Sequence, residues 1–355
     1  MAKQTISIIG AGLGGLTLGR CLQKRGISAV LYERTSSAAP HNHGITLYAS
    51  SFTPLLRALD VSEKNFKNKV AVDAATGGQG SINHSAAGFL KESGQDDTCF
   101  HVHRGRLEEW LREGLDIRWE HVLQNVEPSS GADEQPTVHF ENGLKTQTNV
   151  VIGADGPHSA MRRSILPDSQ LIILPFVAFN GKRRIDRAVF EDCFEPHLNN
   201  TNVVQFTQGD VRLKLSIDDN YSKDKVSVSW TYSRPSHPNG PLSQLLDTKD
   251  VRKDRLLHWL MRTILLPKEN LQDLAHGGIV LLGDAVHAEP IVGGNGANAA
   301  IQDAVSLANR IAGGQETDKL DLSSWIDERY GSWEHGVRTA KTTIDATHSH
   351  QNAKI

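Results

Sequence analysis

Three glycines near the N-terminus carry the clearest chemistry in the chain. Gly10, Gly12 and Gly15 follow the apolar run Ile6-Ser-Ile-Ile9 in the order Gly-Ala-Gly-Leu-Gly-Gly. That spacing suits the pyrophosphate of a dinucleotide. The first glycine permits a tight turn, the second lets phosphate approach the backbone, and the third lets helix and strand pack closely. A helix starting there turns free N–H groups and the positive end of its dipole toward the phosphates. Glu33, closing the next apolar run, is placed to accept hydrogen bonds from an adenosine ribose. The pattern alone does not separate FAD from NAD. Later, Asp155-Gly156 and Gly283-Asp284 set a carboxylate beside a glycine; taken singly, such pairs read as a turn or a helix cap. His41 and His43, like His101 and His103, stand two apart, but no carboxylate or cysteine completes a metal-ligand set, so they read as loop or surface histidines.

Residues 5–9 read as a buried strand, 14–25 as a helix with Leu16, Leu18, Cys21 and Leu22 at helical intervals, and Ser28–Tyr32 as a second strand: a βαβ unit with the glycines at its first turn. The Gly-, Ser- and Ala-rich stretch 68–98 reads as hairpins or loops. His101–Leu115 reads as helix, and 116–127 and 136–151 as strands with a turn at Glu141-Asn142-Gly143. From 168 to 272 the pattern alternates, as in Val211-Arg-Leu-Lys-Leu-Ser216, and predicts half-buried antiparallel strands. The segment 251–274 reads as helix, Gly278–Leu282 as a buried strand, and 297–312 as helix, with a polar tail beyond Gln351.

With 355 residues, 38% hydrophobic and 22% charged, the chain has the composition of an ordinary globular protein with ample core. A net charge of −3 and no basic run argue against a nucleic-acid partner. Cys21, Cys99 and Cys193 form no C-x-x-C pair, which argues against a redox dithiol beside a cofactor. No segment approaches the ~18 continuous apolar residues of a membrane span. The N-terminal apolar run breaks at once into glycines and reads as a phosphate-loop pattern rather than a signal-peptide cleavage site. The expected compartment is the cytoplasm, with Ala353-Lys354-Ile355 as a loose match to a peroxisomal address.

Three further segments add to the opening motif. Asp155-Gly156-Pro-His-Ser159-Ala-Met-Arg162 resembles the D-G-x-x-S-x-x-R motif of the flavoprotein monooxygenases of the para-hydroxybenzoate hydroxylase type. Gly283-Asp284-Ala-Val-His287-Ala-Glu-Pro290, continued by Gly294-Asn295-Gly296-Ala297-Asn298 and Asp303-Ala304, resembles that family's G-D motif. Arg104-Gly-Arg-Leu107-Glu-Glu-Trp-Leu111 is similar to its R-x-x-L-x-x-x-L helix. Asn295 departs from the family's usual Gln. The halogenase pattern W-x-W-x-I-P is missing, and the size is that of the short fungal members of secondary metabolism.

The resemblance implies an α/β fold: a Rossmann-like FAD-binding domain of the glutathione-reductase-related type, formed by residues 1–70, 98–167 and 275–345, with an inserted antiparallel-sheet substrate domain, 71–97 and 168–274, and a polar tail, 346–355. It implies cofactor contacts from Gly10, Gly12, Gly15, Glu33, Arg34, Gly44, Arg104, Asp155, Asp284, Gly294, Gly296, Ala297 and Asn298. Asp284 would accept from the ribityl hydroxyls, and the helix from Gly296 would aim its N-terminus at the flavin's pyrimidine edge, where reduced flavin is negative. Asp155 and Arg162 would serve both FAD and a transient nicotinamide, and His287 is at least as much a structural residue as a cofactor contact. NADPH or NADH would reduce FAD, O2 would add at C4a, and the hydroperoxide would hydroxylate or epoxidise a small organic substrate, such as a secondary metabolite. Such chemistry needs no dedicated nucleophile; Arg183 and Arg184 are the substrate-facing candidates, against a reading as solvated sheet-edge arginines. An FAD-bound dehydrogenase or oxidative cyclase, and a non-catalytic FAD-binding protein, stay open, as does a monomer or a homodimer.

Overall fold

The computed structural model describes residues 5–83, 98–129, 134–220, 222–236, 256–291, 295–317 and 320–348. Gly294, most of the Gly/Ser-rich stretch (84–97) and Ala353-Lys354-Ile355 lie outside them. The chain runs β1 (Ile6–Ile9), α1 (Leu13–Lys24), β2 (Val30–Tyr32), β3 (Gly44–Tyr48), α2 (Ala49–Leu59), α3 (Glu63–Val70), β4 (Cys99–His103), α4 (Arg104–Arg112), β5 (Asp116–Arg118), β6 (Leu123–Glu127), β7 (Thr137–Phe140), β8 (Lys145–Gln147) and β9 (Val150–Gly153). It continues α5 (Ala160–Ile165), β10 (Ile172–Asp186), α6 (Arg187–Cys193), α7 (Glu195–Leu198), β11 (Val203–Gln208), β12 (Val211–Asp219), β13 (Lys225–Pro235), β14 (Leu256–Thr263), α8 (Lys268–His276), β15 (Ile279–Leu281), α9 (Gly296–Thr317) and α10 (Leu322–His348).

The short apolar strands form a parallel sheet in the order β15-β9-β1-β2-β5. Every residue of β1, β9 and β15 is buried, as expected of strands covered on both faces. Helix α1 packs on α9. A second sheet, β11-β12-β13-β10-β14, is antiparallel and is inserted between β9 and β15. Its two faces differ in chemistry. Val204, Ile217, Val226 and Val228 pack with Phe190 and Leu198 of α6 and α7. The opposite face carries Lys182, Lys214, Ser216, Asp218 and Ser229 and meets β3, where Asp218 Oδ1 accepts the Gly44 amide (2.9 Å) and the Ser229 hydroxyl (2.9 Å).

Several expected elements change. Among the described residues, the stretch read as a helix at 251–274 is a strand over Leu256–Thr263, paired antiparallel with β10, and is helical at Lys268–His276, started by Pro267; residues 251–255 lie outside them. A short apolar run fits either period, and here the waiting edge of β10 decides. The helix read from His101 starts instead at Arg104, because Cys99–His103 pairs with β3 and His103 Nδ1 caps the helix by accepting the Arg106 amide (3.2 Å). The strand read at 116–127 divides into β5 and β6, with Glu120 left-handed between them, and that read at 136–151 divides into β7, β8 and the start of β9. Helix α3 runs to Val70, inside the stretch read as loops, and α10 reaches His348, inside the expected tail.

One buried carboxylate ties the C-terminal elements to the turn after β15. Asp303 of α9 accepts the Gly283 amide (3.0 Å) and meets His287 Nε2 (2.6 Å) through Oδ2. Its Oδ1 accepts Arg329 Nη2 (2.8 Å) and Trp333 Nε1 (2.8 Å) from α10. Burial opposes the charge on both partners, yet His287 and Arg329 hold Asp303 well below the usual carboxylate range, and Asp303 raises His287. The His287 contribution is present at low pH and fades as pH rises through its raised pKa. The Asp303 contribution is present above the ordinary carboxylate range and is lost on acidification. Asp303→Asn is therefore expected to cost about 3–5 kcal/mol at neutral pH and to flatten the acid limb of the stability curve below about pH 5, measured by urea denaturation across pH. Wild-type stability at pH 7 with an unchanged acid limb contradicts the assignment.

Candidate functional site

The glycine turn between β1 and α1 lies at the carboxyl ends of the parallel strands. Gly10 has φ +105°, and a Cβ there would press on the Ala154 carbonyl (2.6 Å). A Cβ on Gly15 would overlap the Gly10 carbonyl, so this residue fixes the contact of helix with strand. Gly12 differs: nothing lies within 4 Å of the Cβ position, and the space beside the first turn of α1 is open. Gly12 is also the N-cap and offers no side chain to the free amides of that turn. Glu33 holds the loop from outside, with Oε2 accepting the Ala11 amide (2.8 Å) and Oε1 that of Thr35 (3.1 Å).

Two acidic turns flank this cradle. Asp155 caps α5, Oδ2 accepting the Ala160 (2.7 Å) and Met161 (3.1 Å) amides, while its buried Oδ1 has no partner among the described residues. Arg162 is buried and donates to the carbonyls of Ala285 (2.9 Å) and Pro157 (2.6 Å). The arginine of the Asp155–Arg162 motif thus joins that loop to the turn Gly283–Ala285. On this turn Asp284 makes no side-chain hydrogen bond among the described residues. It lies against the start of α9, where a Cβ on Gly296 would be 3.2 Å from Oδ1. Burial pushes Asp284 upward against the pull of His287, Arg104 and Arg162. Glu289, six residues before Asn295 and near it (3.5 Å), is pushed by burial to about 7, against the pull of His287.

The third wall is β3, β4 and the start of α4. Arg104 donates its amide to the His43 carbonyl (3.0 Å) and its Nε to the buried Glu108 (2.9 Å), whose other oxygen meets His41 Nδ1 (2.6 Å). Burial and the nearby Arg104 push His43 down to about 3, so it is neutral. Asn298 spends its side chain within the protein: Nδ2 donates to the Thr46 carbonyl (3.0 Å), and Oδ1 accepts from the Tyr48 amide (2.9 Å) and the Ser51 hydroxyl (2.6 Å). It pins α9 to β3 and leaves only backbone for a ligand.

The structure thus gathers Gly10, Gly12, Gly15, Glu33, Asp155, Arg104, Asp284, Gly296, Ala297 and, through β3, Gly44 around one cleft, with Arg34 exposed at its rim. These groups fit FAD. An open cradle at Gly12 would face the pyrophosphate, and two acidic side chains, Glu33 and Asp284, would suit its hydroxyl-bearing ribose and ribityl chain. A helix N-terminus also stands beside Asp284. Arg183 and Arg184 are exposed on β10 and, by register, lie on opposite faces. The residue of that segment that reaches the cleft is Lys182, 3.4 Å from Asp218 and close enough to His43 to depress it. Lys182, Lys214 and Asp218 gave no signal in the sequence beyond alternation, since which face they occupy is set by pairing across the sheet.

Comparison with known proteins agrees with this geometry. Residues 3–170 and 249–320 match the model of the FAD binding domain family. The chain is 30% identical to the FAD-dependent monooxygenase nscC of Neosartorya fischeri, over 97% of this chain and 95% of that protein. It is 29% identical to the FAD-dependent monooxygenase adaC of Aspergillus niger, over 97% and 93%. Among solved structures it is similar to 2,6-dihydroxypyridine-3-hydroxylase of Arthrobacter nicotinovorans (TM-score 0.74, 17% identity, 99% and 94% covered). It is also similar to Klebsiella pneumoniae HpxO, crystallised with FAD and uric acid (TM-score 0.69, 18% identity, 99% and 90% covered).

The two glycines predict different failures. Gly12→Ala is expected to leave the apoprotein's thermal unfolding unchanged while weakening FAD binding at least about ten-fold, because its methyl enters the space beside the pyrophosphate. Gly15→Ala is expected to destabilise the apoprotein itself, since the clash is with backbone. Equal behaviour of the two variants in unfolding and FAD titration contradicts the placement of the cradle. The chain belongs to the FAD binding domain family and, within it, to the FAD-dependent monooxygenases.

Proposed function

We propose that the protein uses NADPH or NADH and O2 to insert one oxygen atom into a small organic substrate, a secondary metabolite, held between FAD and the polar face of the antiparallel sheet. The observation that carries this reading is the cleft itself. Its cradle, Asp284 and the α9 N-terminus lie on one side, and the Lys182, Lys214 and Asp218 face lies on the other. When bound, FAD would take up reducing equivalents from the nicotinamide and activate O2. The remaining tasks fall to the chain. Glu33 and Gly12 hold the two ends of the dinucleotide's adenosine half. Asp284 accepts from the ribityl hydroxyls, and the amides at the start of α9 stabilise negative charge beside it. The sheet excludes water from the reacting atoms.

A basic rim supports the nicotinamide co-substrate. Arg262 Nη1 lies 2.7 Å from His158 Nε2, and Arg163 and Arg34 are near enough to depress His158 further, after burial and Arg262. Such a gathering of like charges at a surface beside the Asp155 loop suits the phosphates of NAD(P)H.

Arg262→Ala is expected to raise KM for the nicotinamide several-fold without loosening FAD. The activity itself is tested with isotopically labelled O2 and a metabolite panel. A compound that stimulates NADPH oxidation should leave with label in the product. Substrate dehydrogenation or cyclisation without label would replace this reading with that of an oxidase-like or cyclase activity on the same fold.

A further inference from the structure

We infer that Glu108 and His41 are positioning residues for the cofactor: the buried Glu108 carboxylate, steadied by His41, aims the Arg104 guanidinium into the cleft and so sets how tightly FAD is held. The inference rests on FAD occupying that cleft and not on the oxygen chemistry proposed above. Glu108 stands one helical turn after Arg104 on α4. Side chains on a helix lean toward its N-terminus, so this carboxylate reaches back to the first turn. There Oε1 accepts Arg104 Nε (2.9 Å), and Oε2 meets His41 Nδ1 (2.6 Å). The segment carrying His41 is locked to the same turn. The Arg104 amide donates to the His43 carbonyl (3.0 Å), and a Cβ on Gly105 would stand 2.7 Å from the His41 carbonyl.

The Glu108 side chain is 3% exposed and is sealed from any ligand, whereas Arg104, at 28%, opens to the cleft. An arginine and a carboxylate ordinarily pair through two parallel hydrogen bonds. Here His41 occupies the second oxygen, so Glu108 takes only Nε, and the two terminal nitrogens of Arg104 donate to no described residue. The guanidinium acts on His43, at the start of β3, and on Asp284, on the turn after β15. It therefore stands between those two walls, with a planar fork of free donors for the oxygen acceptors of FAD. Stability alone gives little reason to bury this pair, since an apolar pair of the same size commonly serves a fold as well. What the ion pair adds is direction: one fixed nitrogen and a rigid plane leave the fork one way to point. Charge alone would act in the opposite sense, because a carboxylate beside Arg104 weakens the attraction for an anionic dinucleotide. The sign of the effect on FAD affinity therefore separates aiming from neutralisation.

The test reads FAD dissociation from the purified holoprotein by ultrafiltration, beside thermal unfolding of each variant. Glu108→Met is expected to weaken FAD binding about ten-fold, the loss of one aimed, charge-assisted contact. In the double variant Arg104→Met/Glu108→Met, FAD should be held no more weakly than in Arg104→Met alone, because Glu108 acts through Arg104. His41→Ala should weaken FAD several-fold. His41→Asn, whose amide nitrogen can take the place of Nδ1, should restore the wild-type affinity. FAD held as tightly or more tightly by folded Glu108→Met overturns the inference, as do losses that simply add in the double variant. A purely structural role would move unfolding and leave the FAD affinity of the folded variants unchanged, which also overturns it. If Arg104→Met fails to fold because it strands a buried carboxylate, Glu108→Met and the two His41 variants still decide. Wild type that retains no FAD overturns the placement of the cofactor as well, whereas FAD retained alike by wild type and variants overturns this inference alone.

Discussion

The site depends on one buried carboxylate. Asp303 receives a backbone amide and an imidazole from the turn after β15 and a guanidinium and an indole from α10, and these donors offset the cost of its burial. The Gly283 amide is the contact that matters for function. It fixes the turn that carries Asp284 against the first residue of α9, while Arg162 grips the same turn from the other side through the Ala285 carbonyl. With the backbone so held, the Asp284 side chain makes no hydrogen bond among the described residues and lies beside the first residue of α9. Elsewhere in the protein, carboxylates such as Glu108 and Asp218 are engaged by their neighbours.

The two sheets meet through few but directed contacts. Asp218 reaches across from the antiparallel sheet to the Gly44 amide, and Asn298 fastens α9 to the same strand two and four residues further on. Strand β3 is therefore the common member of both halves. A cofactor laid along it would touch the dinucleotide fold on one side and the polar sheet on the other. The chemistry of the two sheet faces follows from the period-2 alternation of β12 and β13: an apolar back sealed by α6 and α7, and a charged front.

What was legible in the sequence was local. The Gly10–Gly15 turn could be read because its requirements are backbone sterics within six residues. The turn at Gly283-Asp284 could be read because the motif around it is contiguous. The parallel sheet followed from short, fully apolar strands with a helix between the first two. Non-local pairing set the rest. The run Leu256–Thr263 has no property that separates strand from helix until the edge of β10 is present. Likewise, His101 and His103 become strand residues only because β3 lies alongside. Arg183 and Arg184 were the visible charges on β10, but register turns Lys182 to the cleft. Asn298 sits in the cofactor motif, yet its side chain is consumed by β3, a role that only the packed structure reveals.

FAD titration of apoprotein, wild type beside Asp284→Ala, tests whether Asp284 holds the flavin. Wild type is expected to bind one FAD per chain and the variant to bind it about ten- to a hundred-fold more weakly, with thermal unfolding of the two apoproteins alike. No FAD uptake by wild type, or equal affinity in two folded proteins, would contradict the placement of the flavin beside Asp284.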